Sequence, residues 1–95
     1  MAKYRIMPVV VEALQWTGSN MSEIKSFIGE SLLGYKPLFE TDWEVGLGAM
    51  RAELSIKTID SVVKVVNGDY IIKGVQGEFY PCKPDIFELT YELAE

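Results

Sequence analysis

The chain has no histidine and a single cysteine, Cys82, among its 95 residues. Without histidine the familiar zinc sets of Cys and His cannot be assembled, and one thiol cannot close a disulfide within the chain. Basic residues are also few: 9 Lys and Arg stand against 14 Asp and Glu, for a formal charge of −5. Duplex binding leans on neutralising phosphates with Lys and Arg, so nucleic acid is not the expected partner. Long apolar runs are missing as well, and Met1-Ala-Lys-Tyr-Arg-Ile-Met-Pro8 lacks the apolar centre of an export signal. Neither membrane insertion nor secretion is expected, and a reducing cytoplasm fits best. The same absences lead us to expect no metal and no cofactor.

What is present is apolar and aromatic: 48% of residues are hydrophobic and 12% are Phe, Trp or Tyr. The length makes residues 1–95 one domain, and a chain so short buries only about 60 to 70% of its unfolded surface. Part of its apolar surface is therefore expected to meet another copy, giving a homo-oligomer.

Residues 3–16 read as extended, with β-branched bulk at Val9, Val10 and Val11, and with Pro8 marking an edge or bulge. From Glu12 the pattern alternates, setting Leu14 and Trp16 against Ala13, Gln15 and Thr17. Asn20 stands three residues before Glu23, the spacing of a capping box, and a helix is expected over 21–28, closed by Gly29. Residues 30–50 resist reading, because Gly34, Pro37, Gly46 and Gly48 interrupt every period. Within them, 39–45 alternates, with Glu40, Asp42 and Glu44 on one side, as a solvated edge strand would.

A meander follows. Strands are expected around Ala52–Thr58, Val62–Val66, Tyr70–Lys73 and Glu78–Cys82, with turns at Asp60-Ser61, Asn67-Gly68-Asp69 and Gly74-Val-Gln-Gly77. Lys83 to Glu88 suits one helical turn beginning at Pro84, and Thr90 to Leu93 alternates as a closing strand. The expected fold is α+β, a curved antiparallel sheet or small, partly open barrel with one helix across it.

Chemistry-bearing candidates are few. Cys82 beside Lys83 has no histidine to act as base, so a packing role is expected of it. Gly74-Val-Gln-Gly77 is followed by Glu-Phe-Tyr in a strand, not by the lysine and hydroxyl of a phosphate loop before a helix, and reads as a hairpin turn. Tyr70, Lys73, Phe79, Tyr80 and Lys83 form an aromatic and basic set on two joined strands. Such a set can pack a core, or it can stack a base and pair a phosphate.

Two stretches carry a resemblance. Lys3-Tyr-Arg-Ile-Met-Pro-Val-Val-Val-Glu-Ala-Leu-Gln-Trp-Thr-Gly18 and Gly68-Asp-Tyr-Ile-Ile-Lys-Gly-Val-Gln-Gly-Glu-Phe-Tyr-Pro-Cys-Lys-Pro-Asp-Ile-Phe-Glu88 resemble a group of small, mostly uncharacterised bacteriophage and prophage proteins. The chain departs from the group's pattern at Ile6, where a basic residue is usual, and at Asn67, where proline is frequent. The resemblance implies phage origin and action in the cytoplasm of an infected bacterium. In that setting the expected function is non-catalytic: a sponge that sequesters a cyclic nucleotide or related signal of host defence. Its pocket would draw on Trp16, Arg51, Tyr70, Lys73, Phe79, Tyr80 and Lys83. The alternative is an inhibitor or adaptor that docks on a host protein through 39–45, with Phe39 and Trp43 as anchors.

Overall fold

The computed structural model describes residues 1–4, 9–38 and 51–94. The expectations placed on Pro8 and on the acidic alternation 39–45 lie outside the described residues. The elements run β1 (Glu12–Gln15), α1 (Met21–Ile28), a 3-10 turn (Gly29–Ser31), β2 (Leu32–Leu38), β3 (Arg51–Lys57), β4 (Val62–Val65), β5 (Tyr70–Lys73), β6 (Phe79–Cys82) and α2 (Pro84–Thr90). The fold is α+β, as the sequence predicts, but among the described residues the strands form two three-stranded antiparallel sheets, ordered β1-β5-β6 and β2-β3-β4, and neither closes into a barrel.

The division into two sheets occurs at Val66–Asp69. The Asp69 amide donates to the Val66 carbonyl across this turn (3.0 Å), and Gly68, at φ 93°, supplies the positive φ that such a turn needs at its third residue. The turn does not return the chain as a hairpin beside β4. Trp16 captures it instead: the Trp16 amide donates to the Asp69 carbonyl (2.9 Å) and the Gly68 amide to the Trp16 carbonyl (2.7 Å). These bonds extend the β1–β5 ladder, so β4 stays with β3 and β5 joins β1.

One core lies between the sheets. It gathers Trp16, Ile24, Ile28, Ala52, Leu54, Ile56, Val65 and Ile71, all buried. Ala52, Leu54 and Ile56 alternate along β3 with the more exposed Arg51, Glu53 and Ser55, which is the period-2 pattern of a strand with one face covered. Helix α1 presents Ile24 and Ile28, one turn apart, to the same core, and each such side chain contributes roughly 1.5 to 3 kcal/mol on burial. Gly29 ends α1 at φ 54°, its amide bonded to the Lys25 carbonyl.

Asn20 does not build the expected capping box; its side chain makes no cap bond. It turns back towards β1, accepting from the Thr17 amide (3.0 Å) and donating to the Gln15 carbonyl (2.8 Å), and so fixes the β1–α1 connection. At the other end of the chain, α2 runs through Thr90, and Tyr91 to Ala94 form no strand. Tyr91, four residues after Phe87, stacks its ring on that of Phe87, whereas Leu93 is exposed. Between α1 and β3, strand β2 occupies a stretch whose Gly34 and Pro37 hide it from any periodicity argument.

Candidate functional site

The antiparallel register sorts the aromatic and basic set. Tyr70 faces Cys82, Ile72 faces Tyr80, and Lys73 faces Phe79 across the β5–β6 pair. Facing residues share a side of the sheet and neighbours along a strand alternate, so Tyr70, Ile72, Tyr80 and Cys82 lie on one side, with Ile71, Lys73, Phe79 and Pro81 on the other. Phe79 packs edge-on against Phe27 of α1, with ring centres 5.5 Å apart, on the core side. The seven residues expected to share one pocket are therefore spread over several places. Trp16 is buried in the core, Arg51 opens β3 in the second sheet, and only Tyr70, Tyr80 and Lys83 sit together beside α2.

On that side α2 and the residue that follows it add two rings, Phe87 and Tyr91, that lay outside the expected set. Tyr70 stacks on Phe87 at 3.8 Å between ring centres and 7° between planes, and Phe87 stacks on Tyr91 at 5.0 Å. The Tyr80 and Tyr91 hydroxyls lie 3.5 Å apart, and Ile72 is fully buried on this side of the sheet. The i,i+4 spacing of Phe87 and Tyr91 was the available signal. Tyr91 bonding and burial push the Tyr80 phenol up to about 12. Burial, with Asp85 and Asp69 adding to it, pushes the Cys82 thiol up, away from the thiolate form that nucleophilic chemistry requires.

Lys83 stands at the start of α2 and donates to both carboxylate oxygens of Asp69, at 3.2 and 3.1 Å. Asp69 is a buried charge in the tight turn, and its Oδ2 also accepts from the Val66 amide (3.1 Å). Lys83 thus ties α2 to that turn while its side chain remains 60% exposed.

A second feature lies on the far side of α1. Trp16, Gly18, Ser19, Met21, Lys25 and the β2 residues Leu32 to Tyr35 line a groove of about 490 Å³. The Trp16 indole N–H is already bonded to the Ala52 carbonyl (2.8 Å), and the Ala52 amide donates to Asn67 Oδ1 (2.8 Å). Ala52 is consequently held by both backbone groups, and Asn67 also donates to the Thr17 carbonyl at 3.3 Å. A proline at position 67 could make neither side-chain bond.

Among the described residues no cluster of acidic or cysteine side chains is arranged to hold a metal ion, and no helix is long and apolar enough to cross a membrane. No family model matches the chain, and no match was found among curated proteins or solved structures.

Proposed function

We propose that this chain is a non-catalytic binding protein that sequesters a nucleotide signal of the cyclic class, acting in a bacterium during phage infection. The observation that carries the reading is the row Tyr70–Phe87–Tyr91 together with Lys83, which stands at the start of α2 with its side chain 60% exposed. A base stacks on the terminal ring, Tyr91, and a phosphate takes the water-facing side of Lys83. Stacking of this kind contributes about 1 to 3 kcal/mol per base and tolerates any base, because every base has a π face. The raised Cys82 thiol and Tyr80 phenol favour binding over nucleophilic chemistry at this surface. The phage setting and the ligand class come from the resemblance of the two chain stretches.

The same reading makes the protein a homo-oligomer. Val75, Leu89 and Leu93 are 74%, 88% and 89% exposed, and a second copy would cover such side chains and deepen a shallow ring surface into a cleft. Sedimentation at micromolar concentration tests the assembly, with a clean monomer mass as the contrary result. Equilibrium dialysis against cyclic mono- and dinucleotides tests the ligand. Binding that falls about tenfold or more in Tyr91→Ala is expected; no retention of any nucleotide by the folded protein refutes the reading.

A further inference from the structure

We propose that the groove between the start of α1 and β2 is a second binding site, for a small molecule with a flat, apolar ring body and one negative charge. It stands independently of the nucleotide reading, because it shares none of the α2 residues. Its volume, about 490 Å³, falls within the roughly 300 to 1,000 Å³ of small-molecule sites.

The apolar part of the claim rests on how the lining is built. Trp16 is fully buried and its one side-chain polar atom is committed to Ala52, so it backs the groove without offering a polar group to an occupant. On the opposite wall the β2–β3 register shifts between Leu32 and Gly34. This irregularity, a bulge at Leu33, lets the consecutive residues Leu32 and Leu33 border the same groove together with Tyr35. Leu33 and Tyr35 are 53% and 48% exposed, which leaves large apolar side chains in water at the edge of a concavity. Met21 adds a polarizable thioether, which favours contact with aromatic rings.

The charge follows from counting. Among the described residues, Lys25, one helical turn after Met21, is the sole charged residue in the lining, and it forms no ion pair with any of them. One ammonium matches one anionic group. A second anion would have to shed water against Met21, Leu32 and Leu33 without a second cation among the described lining residues, and the chain's overall charge of −5 opposes it further.

The experiment uses 8-anilinonaphthalene-1-sulfonate as the flat monoanion and N-phenyl-1-naphthylamine as its uncharged counterpart. Fluorescence titration gives affinities, and amide chemical-shift mapping of the intact protein gives the location. Shifts centred on residues 18–25 and 32–35 are expected. Lys25→Gln should weaken the sulfonate at least fivefold and leave the neutral dye unchanged, while Leu33→Ser should weaken both. Leu89→Ser, on α2, should affect neither. Shifts centred on α2, a sulfonate affinity indifferent to Lys25→Gln, or no binding by the folded protein would each overturn the proposal. Tyr91→Ala, which tests the nucleotide surface, leaves this site intact, so the two readings fail separately.

Discussion

Lys83 Nζ lies 3.1 Å from Asp69 Oδ2, joining a lysine whose side chain is 60% exposed to a carboxylate whose side chain is 3% exposed. The burial is lopsided, so the two partners are not equivalent. Removing the lysine leaves a carboxylate in the interior with the Val66 amide as its remaining hydrogen-bond donor, whereas removing the carboxylate leaves a lysine in water. We expect Lys83→Ala to cost about 1 to 3 kcal/mol, discounted from a fully buried pair because water reaches the lysine. Lys73→Ala should stay within about 0.5 kcal/mol. The double variant Lys83→Ala with Asp69→Asn should recover part of the loss, since a neutral side chain needs no counter-charge. Urea denaturation midpoints measure all three, and a Lys83→Ala protein as stable as the parent contradicts the assignment.

Trp16 and Ala52 give a second test. Trp16→Phe keeps a ring in the core but withdraws the donor from the Ala52 carbonyl, which has a buried side chain beside it. The expected loss is about 1 to 3 kcal/mol, the cost of an unsatisfied buried acceptor. Because the bond joins the two sheets, hydrogen exchange along β3 should quicken along with the loss. Unchanged exchange there would show that the indole packs without fastening.

The Tyr80–Tyr91 contact predicts an alkaline limit to stability. The folded state holds the Tyr80 proton up to about 12, against an ordinary value of 10.0, through the bond to Tyr91, burial and nearby negative charge. A group whose pKa is raised on folding stabilises the protein fully below its unfolded value and loses that contribution as pH climbs through the folded one. Thermal stability should accordingly fall between about pH 10 and 12, and Tyr80→Phe should fall less steeply over that window. Equal slopes for the two proteins would remove Tyr80 as the cause.

Cys82 offers a kinetic measurement. Its Sγ lies 3.6 Å from the Lys83 carbonyl, and burial raises its pKa, so little thiolate exists at neutral pH. Reaction with Ellman's reagent should be slower in the native protein than in denaturant at the same pH, and should accelerate as pH rises. A native thiol that reacts as fast as the denatured one is the outcome that would revive thiol chemistry.

Several elements were legible in the residues themselves. The span of α1 with Gly29 at its end, strand β5 over Tyr70–Lys73, strand β6 within Glu78–Cys82, and the turns at Gly68 and Gly77 all follow from local signals. So did the alternation that turns Leu14 and Trp16 inward. These features depend on backbone preferences and side-chain periods within a few residues, which a sequence carries directly. The same alternation also held a warning: Lys73 stands three residues from Tyr70 and Phe79 adjoins Tyr80, so one face could not hold all four.

Tertiary contacts decided the rest. Strand β2 was hidden because its bulge, glycine and proline break the period, and pairing with β3 is what defines it. The two-sheet division depends on Trp16 bonding residues 68 and 69, and the joint at Ala52 on an indole 36 positions away in sequence. Phe87 and Tyr91 become a ring stack only once α2 lies on β5, and the groove exists only where α1 and β2 come together around Trp16. Local propensity fixed α1, β5, β6 and their turns; strand β2, the sheet each strand joins and the surfaces left concave were set by packing between distant parts of the chain.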